Sequence, residues 1–300
     1  MADESCGTST RTAPERVDGY ASIDEYAAIG DGRTVALVAR DGAIDWLCLP
    51  DVHSPSVFGA LLDASRGGSF GVSPRVPFSA TRRYVPDTNV LETTFATELG
   101  VVRLTDAMTL PSTGLAPLRE LVRTVEGVTG TVPMQWRVEP RFDYGRRRAR
   151  VRVHDGAVVM SAGRLAIGIC AWDAGPPRVD QSSARAEFEV REGTQATIVL
   201  TASDQEPLVF PSRGDVARRV QHTIASWEHW SWNRAYEGPW GDEVMRSALA
   251  LKLLVFAPSG ATAAAPTTSL PETIGGVRNW DYRYCWMRDS AFIMDALLEI

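Results

Sequence analysis

The sequence predicts an antiparallel β-sandwich over residues 20–205, followed by helices. Three observations predict it. Between 20 and 205, short apolar–polar alternations recur between turn signals. After Pro211 the apolar residues change to helical spacing. Two later segments, one from Asp242 and one from Asp289, are apolar on almost every helical face. Three hundred residues fit one large or two ordinary domains, and 44% hydrophobic content supports a packed core.

Taken in order, residues 1–19 are polar, rich in Ser, Thr and Asp, and are expected to be disordered. Strands at 34–40 and 43–49 flank Asp41-Gly42, a hairpin signal. SVFGALLD at 56–63 reads as one short helix. Val132, Met134, Trp136 and Val138 alternate with polar or small residues, as do Ala186, Phe188 and Val190. Asp155-Gly156 lies between VRVH and VVMSA as a second hairpin turn. The run Arg146–Arg152 alternates as well, with Ala149, Val151 and Val153 on one face and Arg148, Arg150 and Arg152 on the other. That is the wet face of a half-buried strand rather than a nucleic-acid patch.

Residues 206–237 are expected to form a linking helix, with Val216, Val220, Ile224 and Trp227 at helical spacing. Trp227, Trp230, Trp232 and Trp240 are expected to anchor it to the helical part. Asp242 can cap a helix running to Phe256, ended by Pro258 and Gly260. Asp289 can cap a second. Two helices apolar all round cannot bury each other, so the domain that starts near 238 is expected to be incomplete in residues 238–300.

Composition excludes several function classes. A net charge of −6 disfavours a nucleic-acid partner, and no apolar run approaches the roughly 18–20 residues that span a bilayer. Cys6, Cys48, Cys170 and Cys285 are dispersed, and the start MADESCGTST is polar, so a reduced, cytoplasmic protein is expected. Gly67-Gly68-Ser69-Phe70-Gly71 matches G-x-S-x-G formally, but a nucleophile elbow needs a strand before it and a helix after it, and the order here is the reverse. Gly30-Asp31-Gly32 lacks the third glycine and the helix of a dinucleotide site. His222 and His229 are two helical turns apart, about 10 Å, too far to share one metal without other ligands. No metal site is expected.

The most informative stretch is PTTSLPETIGGVRNWDYRYCWMRD, residues 266–289. It crowds Trp280, Tyr282, Tyr284 and Trp286 around Arg278, Arg283, Arg288, Asp281 and Asp289. Aromatic faces stack on the C–H faces of a pyranose, and its hydroxyls need hydrogen-bonding partners once water is removed. Carboxylates accept from those hydroxyls, and the arginine fork donates to them. On spacing alone, Asp289 is equally readable as an ordinary N-cap and the aromatics as packing.

RSALALKLL at 246–254, PTTSLPE, RNWDYRYCW and MRDSAF together resemble the opening of the catalytic domain of glycoside hydrolase family 15, the glucoamylase and trehalase-like enzymes. IGDGRTVALVARDGAIDWLCLP (29–50), RRYVPDTNVLETTF (82–95) and EPRFDYG (139–145) resemble the domain that precedes the barrel in trehalase-like members. The resemblance implies a small carbohydrate as substrate, no cofactor, and an α/α-barrel of which residues 238–300 are the first helices. It implies that Arg288 and Asp289 hold the terminal glucose, with Trp286, Tyr282 and Trp280 stacking around it. The implied reaction is hydrolysis of a terminal α-glucosidic bond with inversion, by two glutamates absent from residues 1–300. α,α-Trehalose is the preferred substrate. A short α-glucan, or a non-catalytic carbohydrate-binding remnant, are the alternatives. Glu272, the nearest glutamate to the cluster, is expected to bind or shape rather than transfer protons, and the 300-residue chain alone is expected to be inactive.

Overall fold

The computed structural model describes residues 11–12, 15–111, 119–234 and 236–300. The strands are β1 (Arg11–Thr12), β2 (Tyr26–Gly30), β3 (Val35–Ala39), β4 (Ala43–Cys48), β5 (Ser56–Phe58), β6 (Gly68–Pro74), β7 (Ser79–Tyr84), β8 (Leu91–Thr97) and β9 (Gly100–Met108). They continue with β10 (Arg119–Phe142), β11 (Arg147–Arg148), β12 (Arg150–His154), β13 (Ala157–Ala162), β14 (Leu165–Trp172), β15 (Arg178–Val179), β16 (Ala184–Arg191) and β17 (Gln195–Asp204). Three helices follow, α1 (Arg213–Trp232), α2 (Gly241–Leu253) and α3 (Met287–Leu298).

All the strand pairs are antiparallel, and β10 belongs to two sheets. Its first half pairs with β9 and β17, the second with β6 and β16. The ladder shifts register at Gly127/Thr129. There a Cβ on Gly127 would stand 2.0 Å from the Arg191 carbonyl oxygen, so only glycine fits the crossing. Residues from both sheets form one core: Ile29, Val38, Ile44, Phe70, Val72, Trp136 and Val138 face Phe95, Val102, Leu104, Leu121, Ile169, Ile198 and Leu200. The expected β-sandwich is present, followed by helices.

Both hairpin turns form. Asp155 and Gly156 take φ of 48° and 80°, the left-handed pair that a two-residue loop between twisted strands requires. At the other turn only Gly42 is left-handed (φ 84°), and its N–H donates to the Ala39 carbonyl. The short helix expected at 56–63 is absent. Ser56–Phe58 is a buried strand on β4, and Gly59 bonds back to Gly67. The helix-like LL pair lost to that backbone pairing. Of the tail expected to be disordered, residues 1–10 and 13–14 lie outside the described residues, as does Cys6. Arg11 and Thr12 pair with Ala80 and Ser79, and Arg16 forms ion pairs with Asp41 and Asp45.

α1 is capped by Ser212, which accepts from the Asp215 N–H. Val216 packs on Val122 and Val199 from the sandwich, and Trp227 joins Val35, Val90, Ala107, Leu249 and Leu253. Buried Glu120 takes two hydrogen bonds from Arg219, which ties the helix to β10. α1 therefore packs on the sandwich. Trp230 is partly buried at the same contact, but Trp232 and Trp240 are 89% and 74% exposed and anchor nothing among the described residues.

α2 starts at Gly241 after a left-handed Trp240, with Asp242 in its first turn rather than at the cap. It stops at Leu253, short of the expected Phe256, because Val255 bridges to Thr262 and the Phe256 N–H bonds to Ala261. Asn89 donates to the Leu249 carbonyl, and Arg246 stacks 3.9 Å from the Tyr84 ring. These contacts dock α2 on the β8 entry. The two helices do not bury their apolar faces in each other: α2 buries Ala248, Leu249 and Leu253, and α3 buries Ile293.

Candidate functional site

Residues 264–284 form an irregular two-armed loop. The Ala264 and Ala265 N–H groups donate to Tyr284 and Tyr282, Ser269 donates to Trp280, and Glu272 donates to Arg278 at the tip. Thr268 bridges Asp281. One arm carries the aromatic cluster, and the same arm leads into α3.

Arg283 fixes this loop to the sandwich. Its side chain is buried and donates to both Asp281 carboxylate oxygens at 2.9 and 2.6 Å. It also donates to the Ser54 carbonyl at 2.7 Å, to the Tyr144 hydroxyl at 2.7 Å and to Cys48 Sγ at 3.3 Å. Trp46 Nε1 adds a second tie, donating to the Pro266 carbonyl at 2.8 Å. The hydrogen bonds from Arg283 hold the Asp281 carboxyl below its usual range. Burial pushes the Cys48 thiol up to about 11. Asp281 and Arg283 thus attach the loop to the sandwich. The signal was present in the sequence: residues i and i+2 of an extended arm share one face, so D-Y-R places carboxylate beside guanidinium.

The expected binding residues stand further along. Trp286 packs edge-on against both Trp280 (6.3 Å between centroids) and Tyr282 (5.3 Å), and its Nε1 donates to the Asp281 carbonyl. Tyr282 and Trp286 are half-buried, and Trp280 is 49% exposed. The structure therefore brings these three rings together, each with exposed surface. α3 begins at Met287 after Trp286, which puts Asp289 in the first turn instead of at the cap. There its charge still complements the helix N-terminus. Arg288 donates to Asp289 at 3.2 Å, and the Arg288 side chain is exposed. Neither is consumed by the sandwich contacts that hold Arg283.

Glu272 sits on the exposed tip, 3.8 Å from Arg278. Inverting glycoside hydrolysis needs a protonated carboxyl and a second carboxylate roughly 6.5–9.5 Å away. Asp281 is committed to Arg283, so Glu272 gains no acid–base partner from it. Among the described residues no group of three or more His, Cys, Asp or Glu could hold a metal. No described helix is long and apolar enough to cross a membrane.

The family model described as "Trehalase-like, N-terminal" matches residues 17–220, and the one described as "Glycosyl hydrolases family 15" matches 238–300. A trehalase of Thermoplasma volcanium is 34% identical over 287 residues, 95% of this chain and 46% of that protein. A trehalase of Thermoplasma acidophilum is 36% identical, covering 88% of this chain and 45% of that protein. A trehalase of Mycobacterium tuberculosis is 34% identical, covering 94% and 44%. The chain thus spans less than half the length of these curated relatives. With a sandwich matched over 17–220 and the aromatic, Arg-Asp-bearing segment matched over 238–300, the chain belongs to the trehalase-like proteins of glycosyl hydrolase family 15.

Proposed function

We propose that this chain supplies the sandwich and the sugar-recognition rim of an inverting glycosidase that cleaves α,α-trehalose. The observation that carries the reading is the pairing of a fixed aromatic triad, Trp280, Tyr282 and Trp286, with the adjacent charges Arg288 and Asp289. Rings offer apolar faces to a pyranose, and the pair offers a donor fork and an acceptor to its hydroxyls. Trehalose is favoured over an α-glucan because the relatives named above are trehalases. In this reading residues 20–205 are the sandwich domain, 206–237 the linking helix, and 238–300 the start of the α/α-barrel. The reaction requires one glutamic acid to protonate the leaving oxygen and one glutamate to activate water. It needs no cofactor, nucleic acid or membrane. A reducing, cytoplasmic setting suits the free thiols of Cys48, Cys170 and Cys285.

The catalytic pair lies outside residues 1–300 in this reading. The purified chain should therefore release no glucose from trehalose or maltose above a buffer blank. Turnover that disappears in Glu272→Gln would overturn the reading and make Glu272 the acid.

A further inference from the structure

The outer face of the second sheet carries an arrangement that the glycosidase reading does not use. Arg137 on β10 stands directly opposite Arg185 on β16, and Arg185 directly opposite Arg178 on β15. Cross-strand partners share one face, so three arginine side chains leave one face of neighbouring strands whose backbones are about 4.8 Å apart. Like charges placed opposite each other are destabilising. Elsewhere on this face arginines have carboxylate partners: Arg75 meets Glu187 at 2.9 Å, and Arg191 meets Glu189 at 3.6 Å. In the row, Arg137 shares Glu139 with Arg141, while Arg178 and Arg185 have no ion pair among the described residues.

The row lines a cleft of about 290 Å³ whose other polar side chains are Gln135 and Glu187, with Pro176 as an apolar wall. Gln135 and Glu187 are themselves opposite one another, two residues along the same face, about 6.7 Å from the arginine row. The row continues past Arg137 to Gly71, the last glycine of the unused G-x-S-x-G match. Gly71 has no left-handed φ, and a Cβ there would meet no atom within 4 Å. Neither backbone nor packing requires glycine at this position, and the flank of Arg137 away from the cleft is open there.

We infer that this cleft is a binding site for a sugar phosphate, separate from the residues proposed to hold the glycosidase substrate. The arginine forks match phosphate oxygens, which neutralise the row. Gln135, one step along the strands, supplies a neutral donor–acceptor for ring hydroxyls, and Glu187, whose Oε2 is held by Arg75, has Oε1 to accept from them. The cleft volume exceeds what a bare phosphate fills, and Pro176 offers an apolar wall to a ring.

Titration calorimetry of the 300-residue chain with glucose 6-phosphate, glucose and inorganic phosphate tests this. Glucose 6-phosphate should bind with a Kd of about 1 mM or tighter at low salt, and more weakly as salt rises. Glucose and inorganic phosphate should each bind at least roughly tenfold more weakly. Arg185→Gln should weaken glucose 6-phosphate roughly tenfold or more with the melting temperature unchanged, because the side chain is exposed. Arg178→Gln, at the other arginine of the cleft without an ion pair, should weaken it similarly. No binding, binding unaltered in both variants, or equal binding of either half of the ligand alone would each overturn the site.

Discussion

Arg123 and Arg283 are both buried arginines that join distant parts of the chain, yet they do so in different kinds of surroundings. Arg123 lies inside the sandwich, fully buried with Asp106, and donates across the core to the Phe70 and Gly42 carbonyls of the other sheet. Every donor direction meets protein, and Phe70 covers one face at 4.8 Å. Arg283 joins the C-terminal region to the outside of the sandwich. Around it Leu270, Ile274 and Val277 on the loop, and Met287, Phe292 and Leu298 on α3, stand more than two-thirds exposed. The sandwich encloses its main apolar core between its two sheets, and α1 and α2 cover the apolar residues left outside it, Val35, Val90, Ala107, Val122 and Val199. The segment 264–298 gets its position from a few polar bonds and leaves a broad apolar surface uncovered. One region is an enclosed scaffold. The other is a display surface held by Arg283 and by the Trp46 bond to Pro266.

The largest expected effect falls in the scaffold. Arg123→Leu leaves Asp106 as an uncompensated buried charge and should destabilise the protein by about 3–5 kcal/mol. Urea unfolding followed by circular dichroism measures it. A loss below about 1 kcal/mol would mean that the two sheets do not rely on this contact.

Arg283→Ala should separate the two regions. The urea midpoint of the β signal should change little, while the 264–284 loop becomes sensitive to protease and Cys48 becomes open to alkylation. If Cys48 stays as protected as before, other contacts hold the loop and the division into scaffold and display is wrong. Acid offers the same test without mutation. Asp281 has a folded pKa below its unfolded value of about 3.9. Its contribution is therefore complete above that value and is lost as pH falls through the lower, folded one. Cys48 should stay protected near pH 4 and become labelled only in stronger acid, using a reagent that reacts with thiols at low pH.

The smallest effect concerns the uncovered surface. Phe292→Ser and Leu298→Ser should each change stability by less than about 0.5 kcal/mol, because both side chains are already in water. Binding of a hydrophobic dye should fall in the double variant. Unchanged dye binding would put the sticky surface elsewhere.

The turn chemistry and the clustering of the aromatics at 280–286 were legible in the sequence, because both are local. Asp155-Gly156 needs only its own φ angles, and the aromatics of 280–286 crowd together along one arm. What escaped was set by partners far along the chain. Gly59 and Gly67 closed a backbone pair where 56–63 read as a helix. Ser54, Tyr144 and Cys48, each more than a hundred residues away, make Arg283 an attachment point, which its local sequence does not show. Trp232 and Trp240 read as anchors because aromatic residues usually pack, and no local feature marks them as exposed.

The most direct test of the account is the kinetics of Asp289→Asn in an enzyme of full family length, assayed by glucose release from trehalose. Asn keeps the size of Asp in the first turn of α3 but removes the charge that strengthens a hydroxyl hydrogen bond. Such a bond contributes about 1.5–3 kcal/mol. The account predicts a fall in kcat/KM of roughly tenfold to a hundredfold, with the melting temperature almost unchanged. Unchanged activity per folded molecule would contradict it and reduce Asp289 to a helix-end charge.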